Sequence, residues 1–287
     1  MDQAAVAKAR RRRVLIADDD ATTRMAIGAM LRREEYTVEE ATDGADAIHQ
    51  INSKSFDLVF LDIWMPGKTG IEVLTQIRDS ICHPKVIVMT SDGTPETLLR
   101  AVREQAFDYI NKPFPPKEAV EIARRALQSG AAPPIEVISA RPEWVELLIP
   151  CTRESAERVQ DVLAKMESTL PEALRDSIGQ AFRELLLNAV EWGGKLDPDR
   201  KVRIASVRTP RMVMYRIADP GPGFDPAKLQ HAAAGQPEDD PTAHIMVRDQ
   251  LGLRAGGFGI VMTRALADEL IYNEARNEVI FIKYLQG

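Results

Sequence analysis

Five short apolar runs alternate with segments of helical spacing between residues 13 and 130. This alternation restricts the fold more than any other feature, because a strand that is apolar throughout has to be covered on both faces. Strands that alternate with helices are covered in this way when they form one parallel sheet with helices on either side. The sequence therefore predicts a doubly wound α/β domain over residues 13–128, preceded by a flexible basic arm at 1–12.

Each predicted strand is followed by a predicted helix. The strands are expected at 14–17, 36–40, 56–61, 85–89 and 107–110. The helices are expected at 22–33, 43–52, 70–78, 95–105 and 116–128. Asp43 is expected to cap the second helix, since a carboxylate at that position accepts hydrogen bonds from the first free backbone N–H groups.

Polar residues stand where these strands end. Asp18 and Asp19 end the first strand, Asp62 ends the third, Thr90 ends the fourth, and Lys112 follows the fifth. The carboxyl ends of parallel strands meet at one edge of a sheet, so all five side chains are expected to converge there. Three carboxylates in one pocket repel each other unless a hard cation joins them, which implies Mg²⁺. Asp62 is then placed to attack a phosphoryl donor.

This region resembles the receiver domain of two-component response regulators. The resemblance implies a flavodoxin-like sheet with strand order 2-1-3-4-5 and an upstream histidine kinase or phosphotransfer protein as phosphodonor. It also implies roles for the strand-end residues: Asp62 as phosphoacceptor, Asp18, Asp19, Asp62 and the Ile63 carbonyl as Mg²⁺ ligands, Thr90 and Tyr109 as the switch pair, and Lys112, joined to Pro113 by a cis bond, as the partner of the phosphoryl group.

The pattern changes after a small, Gly- and Pro-containing linker at 129–134. Such composition is typical of a domain boundary, so a second domain is expected over 135–287. Its predicted strands are 135–138, 144–149, 201–207, 212–218 and 279–285, and its predicted helices are 152–166, 171–192 and 259–270. The weakly patterned segment at about 224–255 is interpreted as a lid, because loops of this length in compact domains are usually functional.

Three motifs of the second domain fit a nucleotide. Glu184 and Asn188 are four residues apart on one predicted helix and therefore share a face. An amide oxygen can bind Mg²⁺ on a triphosphate, and a nearby carboxylate can act as a base. Asp219 precedes glycines that let the backbone pass close to a flat ring, and a Gly-rich loop before the last helix is a ready anion site.

The order of these motifs resembles the GHKL ATPases, and within them the anti-sigma-factor serine kinases of partner-switching systems. The resemblance implies a GHKL (Bergerat) α/β sandwich with a mixed, mostly antiparallel sheet, and it implies ATP with Mg²⁺ as cofactors. It assigns Glu184 as general base, Asn188 to Mg²⁺, Asp219 to the adenine amine, Gly221 and Gly223 to the nucleotide edge, and Gly257 and Gly259 to the phosphates.

The sequence departs from that family's pattern at two places. The turn before the last strand reads Arg276, Asn277, Glu278 where a Gly and a Thr are frequent. Trp192 and Gly193 stand where His and Gly are usual. Both departures fall near the expected adenine pocket and bear on nucleotide contacts and on turnover.

Three functional hypotheses follow. The first is a serine/threonine protein kinase that acts on an anti-anti-sigma (STAS-like) protein and is controlled by phosphorylation of Asp62. The second is an ATP-dependent module that sequesters a sigma factor or its antagonist with little or no kinase activity. The third is a phosphorylation-responsive ATPase with an unrelated partner. Histidine autokinase activity is not expected, because none of His49, His83, His231 and His244 lies in a dimerisation hairpin.

Bulk properties limit location and partners. The net charge of −6 disfavours nucleic acid as the main partner. Cys82 and Cys151 form no metal or redox motif, and no apolar run approaches the roughly 20 residues that span a bilayer. We expect a cytoplasmic protein that binds neither membrane nor nucleic acid directly, and the resemblance to both families implies a homodimer.

Overall fold

The computed structural model describes residues 11–78, 84–130, 134–141, 143–225 and 259–285 of the chain. The chain divides into two compact units, Met1–Ala132 and Pro133–Gly287. We call them the first and the second unit and describe each by itself. The predicted linker straddles this division, and the predicted lid beyond Asp225, the residues 1–10 of the predicted arm and Gly257 lie outside the described residues.

The first unit contains a five-stranded sheet. Its strands pair in the order β2-β1-β3-β4-β5, and every pairing is parallel. The strands are β1 Arg13–Ala17, β2 Thr37–Ala41, β3 Leu58–Asp62, β4 Lys85–Thr90 and β5 Asp108–Asn111. The helices are α1 Ala21–Arg33, α2 Gly44–Ser53, α3 Gly70–Ile77, α4 Pro95–Arg103 and α5 Pro116–Gln128. The predicted doubly wound fold and its strand order are confirmed.

Side-chain caps fix where the helices of the first unit begin. The Asp20 carboxylate accepts hydrogen bonds from the backbone N–H groups of Thr22 and Thr23 at the start of α1. Asp43 caps α2, as predicted. Thr69 forms a capping box at the start of α3. These caps satisfy N–H groups that have no partner inside the helix, so each loop that follows a strand has a defined length.

The second unit contains a six-stranded sheet in the order β10-β11-β9-β8-β7-β6. Its strands are β6 Glu136–Arg141, β7 Trp144–Pro150, β8 Lys201–Arg208, β9 Met212–Ala218, β10 Glu269–Tyr272 and β11 Glu278–Tyr284. All five described pairings are antiparallel. The predicted GHKL sheet was mixed and mostly antiparallel, so the described strands agree with its main direction but include no parallel pair. The two outermost strands are irregular or short. The pairing of β6 shifts register between Val137 and Ser139, and β10 has four residues.

The helices of the second unit cover its sheet. They are α6 Arg153–Met166, α7 Glu172–Asn188 and α8 Gly259–Leu266. Thr152 caps α6 by accepting a hydrogen bond from the Ser155 backbone N–H. Buried aromatic rings join α7 to the sheet, with the ring centroids of Phe182 and Tyr215 separated by 4.7 Å. No helix in the described part of the chain has the length and apolar character needed to cross a membrane.

Two predicted helices of the second unit end earlier than expected. The helix predicted to reach residue 270 ends at Leu266, and β10 follows it. Asp268 stops the helix because its carboxylate accepts hydrogen bonds from Lys283 Nζ (2.9 Å) and from the Tyr284 backbone (2.7 Å) on β11. The helix predicted at 171–192 keeps α-helical geometry only to Asn188, where a π-helical turn, Ala189–Gly193, begins.

A glycine sets the position of the backbone just after β3. A β-carbon on Gly70 would lie 2.2 Å from the carbonyl oxygen of Asp62. The Gly70 N–H donates a hydrogen bond to the Ile63 carbonyl at 2.9 Å. The first turn of α3 therefore lies directly against the end of β3, and this contact holds the peptide that carries the Asp62 side chain.

We predict that Gly70→Ala destabilises the first unit. The added methyl group has no space against the Asp62 carbonyl, and overpacking of this kind lowers the free energy of unfolding by about 1–3 kcal/mol. Urea denaturation of the full chain measures the effect. Gly130→Ala is the control, since a β-carbon there meets nothing within 4 Å. Equal stability of the two variants would contradict the prediction.

Candidate functional sites

The first site lies at the carboxyl edge of the parallel sheet. Asp18, Asp19 and Asp62 each offer an oxygen, and these oxygens all lie within 4.8 Å of one another. Asp18 and Asp62 are buried, whereas Asp19 is exposed. Such a set of carboxylates suits a hard divalent cation such as Mg²⁺, so the residues present fit the predicted ion.

Lys112 connects two of these carboxylates. Its Nζ atom lies 2.7 Å from Asp18 Oδ2 and 3.1 Å from Asp62 Oδ1. The Lys112 backbone N–H donates to the Thr90 carbonyl at 2.7 Å, which fixes β5 beside β4 at this edge. The peptide bond from Lys112 to Pro113 is cis, as predicted.

The pKa values of this cluster reflect burial and crowding. Burial raises the pKa of Asp62 to about 6, Lys112 opposes the shift, and the charges of Asp18 and Asp19 add to it. Burial also disfavours the charge on Lys112, but the hydrogen bond to Asp18 and the charge of Asp62 outweigh it and raise the lysine pKa. The site therefore holds negative charge at a cost in free energy, and a cationic ligand would lower that cost.

The remaining predicted residues of the first site lie around this cluster. The Thr90 hydroxyl accepts a hydrogen bond from the Asp92 backbone at 3.0 Å, in the loop after β4. Tyr109 is buried on β5. The Ile63 carbonyl accepts one hydrogen bond, from Gly70, and keeps a second lone pair. The structure thus brings the predicted residues to one sheet edge, and their chemical roles stay predictions.

Arg24 is a residue of the first site that sequence reasoning missed. Its Nη1 donates to the Asp18 carbonyl at 2.6 Å, and its Nε lies 3.5 Å from Glu40 Oε2. The guanidinium thereby holds the peptide that carries one of the buried carboxylates. The position of Arg24 on α1 did not predict this contact, because the contact depends on how α1 packs against β1 and β2.

The second site is a cavity of about 290 Å³ in the second unit. Five residues of the predicted nucleotide set line it: Glu184, Asn188, Asp219, Gly223 and Gly259. The predicted shared face of α7 is thus confirmed, since both Glu184 and Asn188 contribute to the wall. A β-carbon on Gly259 would lie 2.5 Å from Glu184 Oε2, so α8 begins directly against this carboxylate.

Asp219 sits one residue beyond β9 in a tight backbone environment. Its Oδ1 accepts a hydrogen bond from the Gly221 N–H at 2.7 Å. A β-carbon on Gly193 would lie 2.1 Å from the same oxygen. Burial raises the pKa of Asp219, although the Gly221 hydrogen bond and the charge of Arg200 oppose the shift. A half-buried carboxylate of this kind can accept a hydrogen bond from an amine on a flat ring.

The turn that departs from the GHKL pattern supports this loop. The Asn277 carbonyl accepts from the Asp219 backbone at 2.8 Å, and Asn277 Nδ2 donates to the Gly221 carbonyl at 3.0 Å. Glu278 forms a bidentate ion pair with Arg216. Two of these departures, Asn277 and Glu278, therefore supply side chains that hold the pocket wall.

The π-helical turn shapes the opposite wall. Trp192 and Gly193 both line the cavity. The Gly194 N–H bonds to the Ala189 carbonyl at 2.8 Å, which is the i to i+5 spacing of a π-helix. Such turns are frequent at functional sites, because they shift the side chains that follow relative to a regular helix.

Sequence reasoning missed several other lining residues, among them Lys195, Phe224, Tyr272 and Val279. The rings of Phe224 and Tyr272 meet edge to face with centroids 5.8 Å apart. Lys195 carries a left-handed backbone at φ 59°. No motif marks these residues, because they meet only when β10 and the π-helical turn close the cavity. The residues present fit a nucleotide, with an apolar ring wall beside a carboxylate and an amide.

The parallel sheet with its acidic edge and the antiparallel sheet with its lined cavity define a two-domain α/β signalling protein. Residues 14–124 match the family model of the response regulator receiver domain. Residues 149–283 match the family model of the histidine kinase-like ATPase domain. The chain belongs to the response regulators, with a receiver domain followed by an ATP-binding domain of the GHKL type. This combination of domains indicates signalling that phosphorylation regulates.

The chain is similar to individual response regulators. The chain is 32% identical over 211 residues to the DNA-binding response regulator MtrA of Mycobacterium tuberculosis (strain ATCC 25618 / H37Rv), which covers 73% of this chain and 90% of MtrA. It is 37% identical over 122 residues to the transcriptional regulatory protein ResD of Bacillus subtilis (strain 168), which covers 41% of this chain and 50% of ResD. The solved chemotaxis response regulator CheY4 of Vibrio cholerae aligns at 27% identity and a TM-score of 0.39, over 41% of this chain and 99% of CheY4.

We predict that Asp62→Asn becomes more stable relative to the wild type as pH rises. The pKa of Asp62 is raised from 3.8 to about 6 in the folded protein, so the folded state binds more protons in that interval. Stability from this group is therefore present at low pH and lost as pH rises towards 6. Between about pH 4 and about pH 7 the difference in unfolding free energy should change by about 2 to 3 kcal/mol.

Urea denaturation across this pH range, in a chelator to exclude divalent ions, measures that difference. Asp19→Asn is the matched control, because Asp19 is exposed and its charge is the smallest of the contributions to the raised pKa of Asp62. A difference that stays constant with pH, or that changes in the opposite direction, would show that Asp62 does not titrate as inferred.

Proposed function

We propose that the chain is an ATP-dependent serine/threonine protein kinase of the anti-sigma type whose receiver domain controls it. The observation that carries the proposal is the cavity in which Glu184, Asn188 and Asp219 meet. An acidic base, an amide ligand for a metal and a ring-binding carboxylate in one pocket match the needs of phosphoryl transfer from a nucleotide.

The cavity residues would divide the work of binding and transfer. Asp219, with Gly221 and Gly223, would hold the adenine edge, Asn188 would bind Mg²⁺, and Gly257 and Gly259 would face the phosphates. ATP would supply the phosphoryl group. Glu184 would orient a hydroxyl of the partner and accept its proton, which is why a serine or threonine acceptor suits this site.

The receiver would act as the input. The Asp62 carboxylate would attack the phosphorus of an upstream phosphohistidine, forming an acyl phosphate as the histidine nitrogen leaves. Asp18, Asp19 and the Ile63 carbonyl would hold Mg²⁺ beside it. Lys112 and Thr90 would stabilise the phosphoryl oxygens, and Thr90 with Tyr109 would carry the switch. The Lys112 ion pairs with Asp18 and Asp62 support this role, because the ammonium already lies at the attacking carboxylate.

The proposed downstream partner is an anti-anti-sigma protein of STAS-like type, a sigma factor, or both. A sequestering module that binds such a partner with little or no transfer is the second candidate. The departures at Trp192 and at Asn277 favour it, since both residues line the pocket where the family pattern differs. We further propose a cytoplasmic homodimer.

The similarity to MtrA suggests a different output, namely DNA binding. MtrA is a DNA-binding response regulator by name, and its similarity to this chain extends over 211 residues. The match of residues 149–283 to a histidine kinase-like ATPase domain supports an ATP-dependent output for this chain instead. A net charge of −6 also disfavours a nucleic-acid surface.

We predict that Glu184→Gln abolishes transfer of label from γ-labelled ATP to a serine of an anti-anti-sigma partner. Loss of a general base lowers the rate by about 100-fold or more. ATP binding, followed by isothermal titration, should persist, because the amide keeps the shape of the side chain. Glu172→Gln is the matched control, since Glu172 lies on α7 but is exposed and outside the cavity.

The outcomes separate the candidates. Tight partner binding without any label would reject the kinase and support the sequestering module. Equal labelling by the wild type and Glu184→Gln would reject the role of Glu184. No ATP binding at all would reject an ATP-dependent output.

We predict that phosphorylation of Asp62 changes partner affinity or ATP turnover by about fivefold or more, a usual size for coupling between sites. The short linker between the two domains motivates this coupling. Acetyl phosphate can phosphorylate the receiver, mass spectrometry can verify the modification, and Asp62→Asn serves as the control that cannot be modified. Unchanged output after verified phosphorylation would reject the coupling.

A further inference from the structure

Arg24 reaches back from the first turn of α1 to the loop that carries two of the acidic residues. Its backbone N–H donates to the Asp20 carbonyl at 3.1 Å. Long side chains on a helix point towards its N-terminus, and the Arg24 Nη1 atom donates to the Asp18 carbonyl at 2.6 Å. Only 12% of the arginine side chain is exposed. A largely buried guanidinium is therefore in contact with the backbone of the acidic cluster.

This contact fixes one peptide plane. The carbonyl of Asp18 and the N–H of Asp19 belong to the same planar peptide group. A hydrogen bond to that carbonyl limits rotation of the plane and thereby the direction in which the Asp19 side chain leaves the backbone. Asp19 is exposed, whereas Asp18 and Asp62 are buried, so packing restrains the Asp19 carboxylate least. The position of its backbone is then what brings its oxygen to within 4.8 Å of the other two.

Other contacts hold the remaining polar groups of Asp18. Its N–H donates to the Ala41 carbonyl at 3.2 Å, and its Oδ1 accepts from the Asp20 N–H at 2.9 Å. Its Oδ2 lies 2.7 Å from Lys112 Nζ. Asp18 has no exposed surface, and a buried carbonyl that loses its partner costs about 1–3 kcal/mol. Loss of the Arg24 guanidinium would therefore favour rotation of this peptide towards another donor.

Glu40 holds the guanidinium from the other side and provides a comparison. Arg24 Nε lies 3.5 Å from Glu40 Oε2, and Arg32 Nη2 lies 2.8 Å from Glu40 Oε1. Both arginines lie on α1 and share one acidic partner. The described contacts join only Arg24 to the Asp18 carbonyl. Arg32 is thus the same side chain with the same partner but without this link to the acidic cluster.

The charge of Arg24 and its position would affect a bound cation in opposite directions. A positive charge near three carboxylates repels a divalent cation, so removal of the charge alone would tighten cation binding. Loss of a contact that orients a metal ligand weakens metal binding, usually by about 10–100-fold. The sign of the change in affinity therefore distinguishes the two effects.

We propose that Arg24 is a positioning residue for the divalent-cation site, because it fixes the Asp18–Asp19 peptide in the orientation that brings the oxygens of both residues to that of Asp62. This inference rests on the cation site of the proposed function. Arg24 touches neither the cation nor the phosphoryl group and acts through the two aspartates.

Binding of Mn²⁺ to the full chain without nucleotide tests the proposal, with free Mn²⁺ measured by electron paramagnetic resonance. Mn²⁺ shares the preference of Mg²⁺ for oxygen ligands, and the measurement requires no phosphorylation or turnover. We expect Arg24→Met, which keeps a long unbranched side chain, to weaken Mn²⁺ binding about tenfold. The control Arg32→Met should bind Mn²⁺ within about twofold of the wild type. Asp18→Asn should abolish binding and so locate the ion.

Two results would overturn the role of Arg24. Equal or tighter Mn²⁺ binding by folded Arg24→Met would exclude positioning, and equal weakening by Arg24→Met and Arg32→Met would assign the effect to their shared partner Glu40. If Arg24→Met does not fold, as judged by circular dichroism, Arg24→Gln is held to the same expectation, because glutamine is too short to reach the Asp18 carbonyl. Absence of Mn²⁺ binding to the wild type, or binding that persists in Asp18→Asn, would instead reject the cation site itself and this role with it.

Discussion

Burial of a carboxylate at the end of a strand is the constraint on which both units depend. Asp62 ends β3 and Asp219 follows β9, and burial raises the pKa of each. A buried carboxylate is costly unless neighbouring groups offset its charge. The first unit does this with the ammonium of Lys112, whereas the second uses the Gly221 N–H and the nearby charge of Arg200. The difference decides what each site can do. An ammonium beside a carboxylate suits a phosphoryl group, and a backbone N–H leaves the second oxygen free for a neutral donor.

Close backbone contact is the second shared device. Gly70 lies against the Asp62 carbonyl, and Gly193 lies against the Asp219 side chain. In each case a β-carbon would push the carboxylate away from its present position. Glycine is therefore required for position in both places, and in neither case for a positive φ angle. The same reasoning explains Gly259, which allows α8 to begin beside Glu184. These contacts fix where the chemical groups lie.

The sequence was informative where a local rule links spacing to position. Parallel strand ends predicted the cluster of Asp18, Asp62 and Lys112, and a four-residue spacing predicted the shared face of Glu184 and Asn188. It was uninformative where two distant segments had to meet. The predicted helix 259–270 included the first two residues of β10, Glu269 and Leu270, and only the pairing with β11 makes them a strand. Arg24 reaches the Asp18 carbonyl through the packing of α1, which no single segment reveals.

The outermost strands of the antiparallel sheet influence whether the protein self-associates at high concentration. A regular, flat edge strand is a template on which a second chain can add, and repeated addition leads to fibrils. In the described sheet one edge, β6, is broken by a register shift beside Ile138, and the other, β10, offers only four residues. Lys201 and Glu136 add paired charges near the first of these edges. Self-assembly by strand addition is thereby discouraged at both described edges, because neither offers a second chain a long regular strand on which to add.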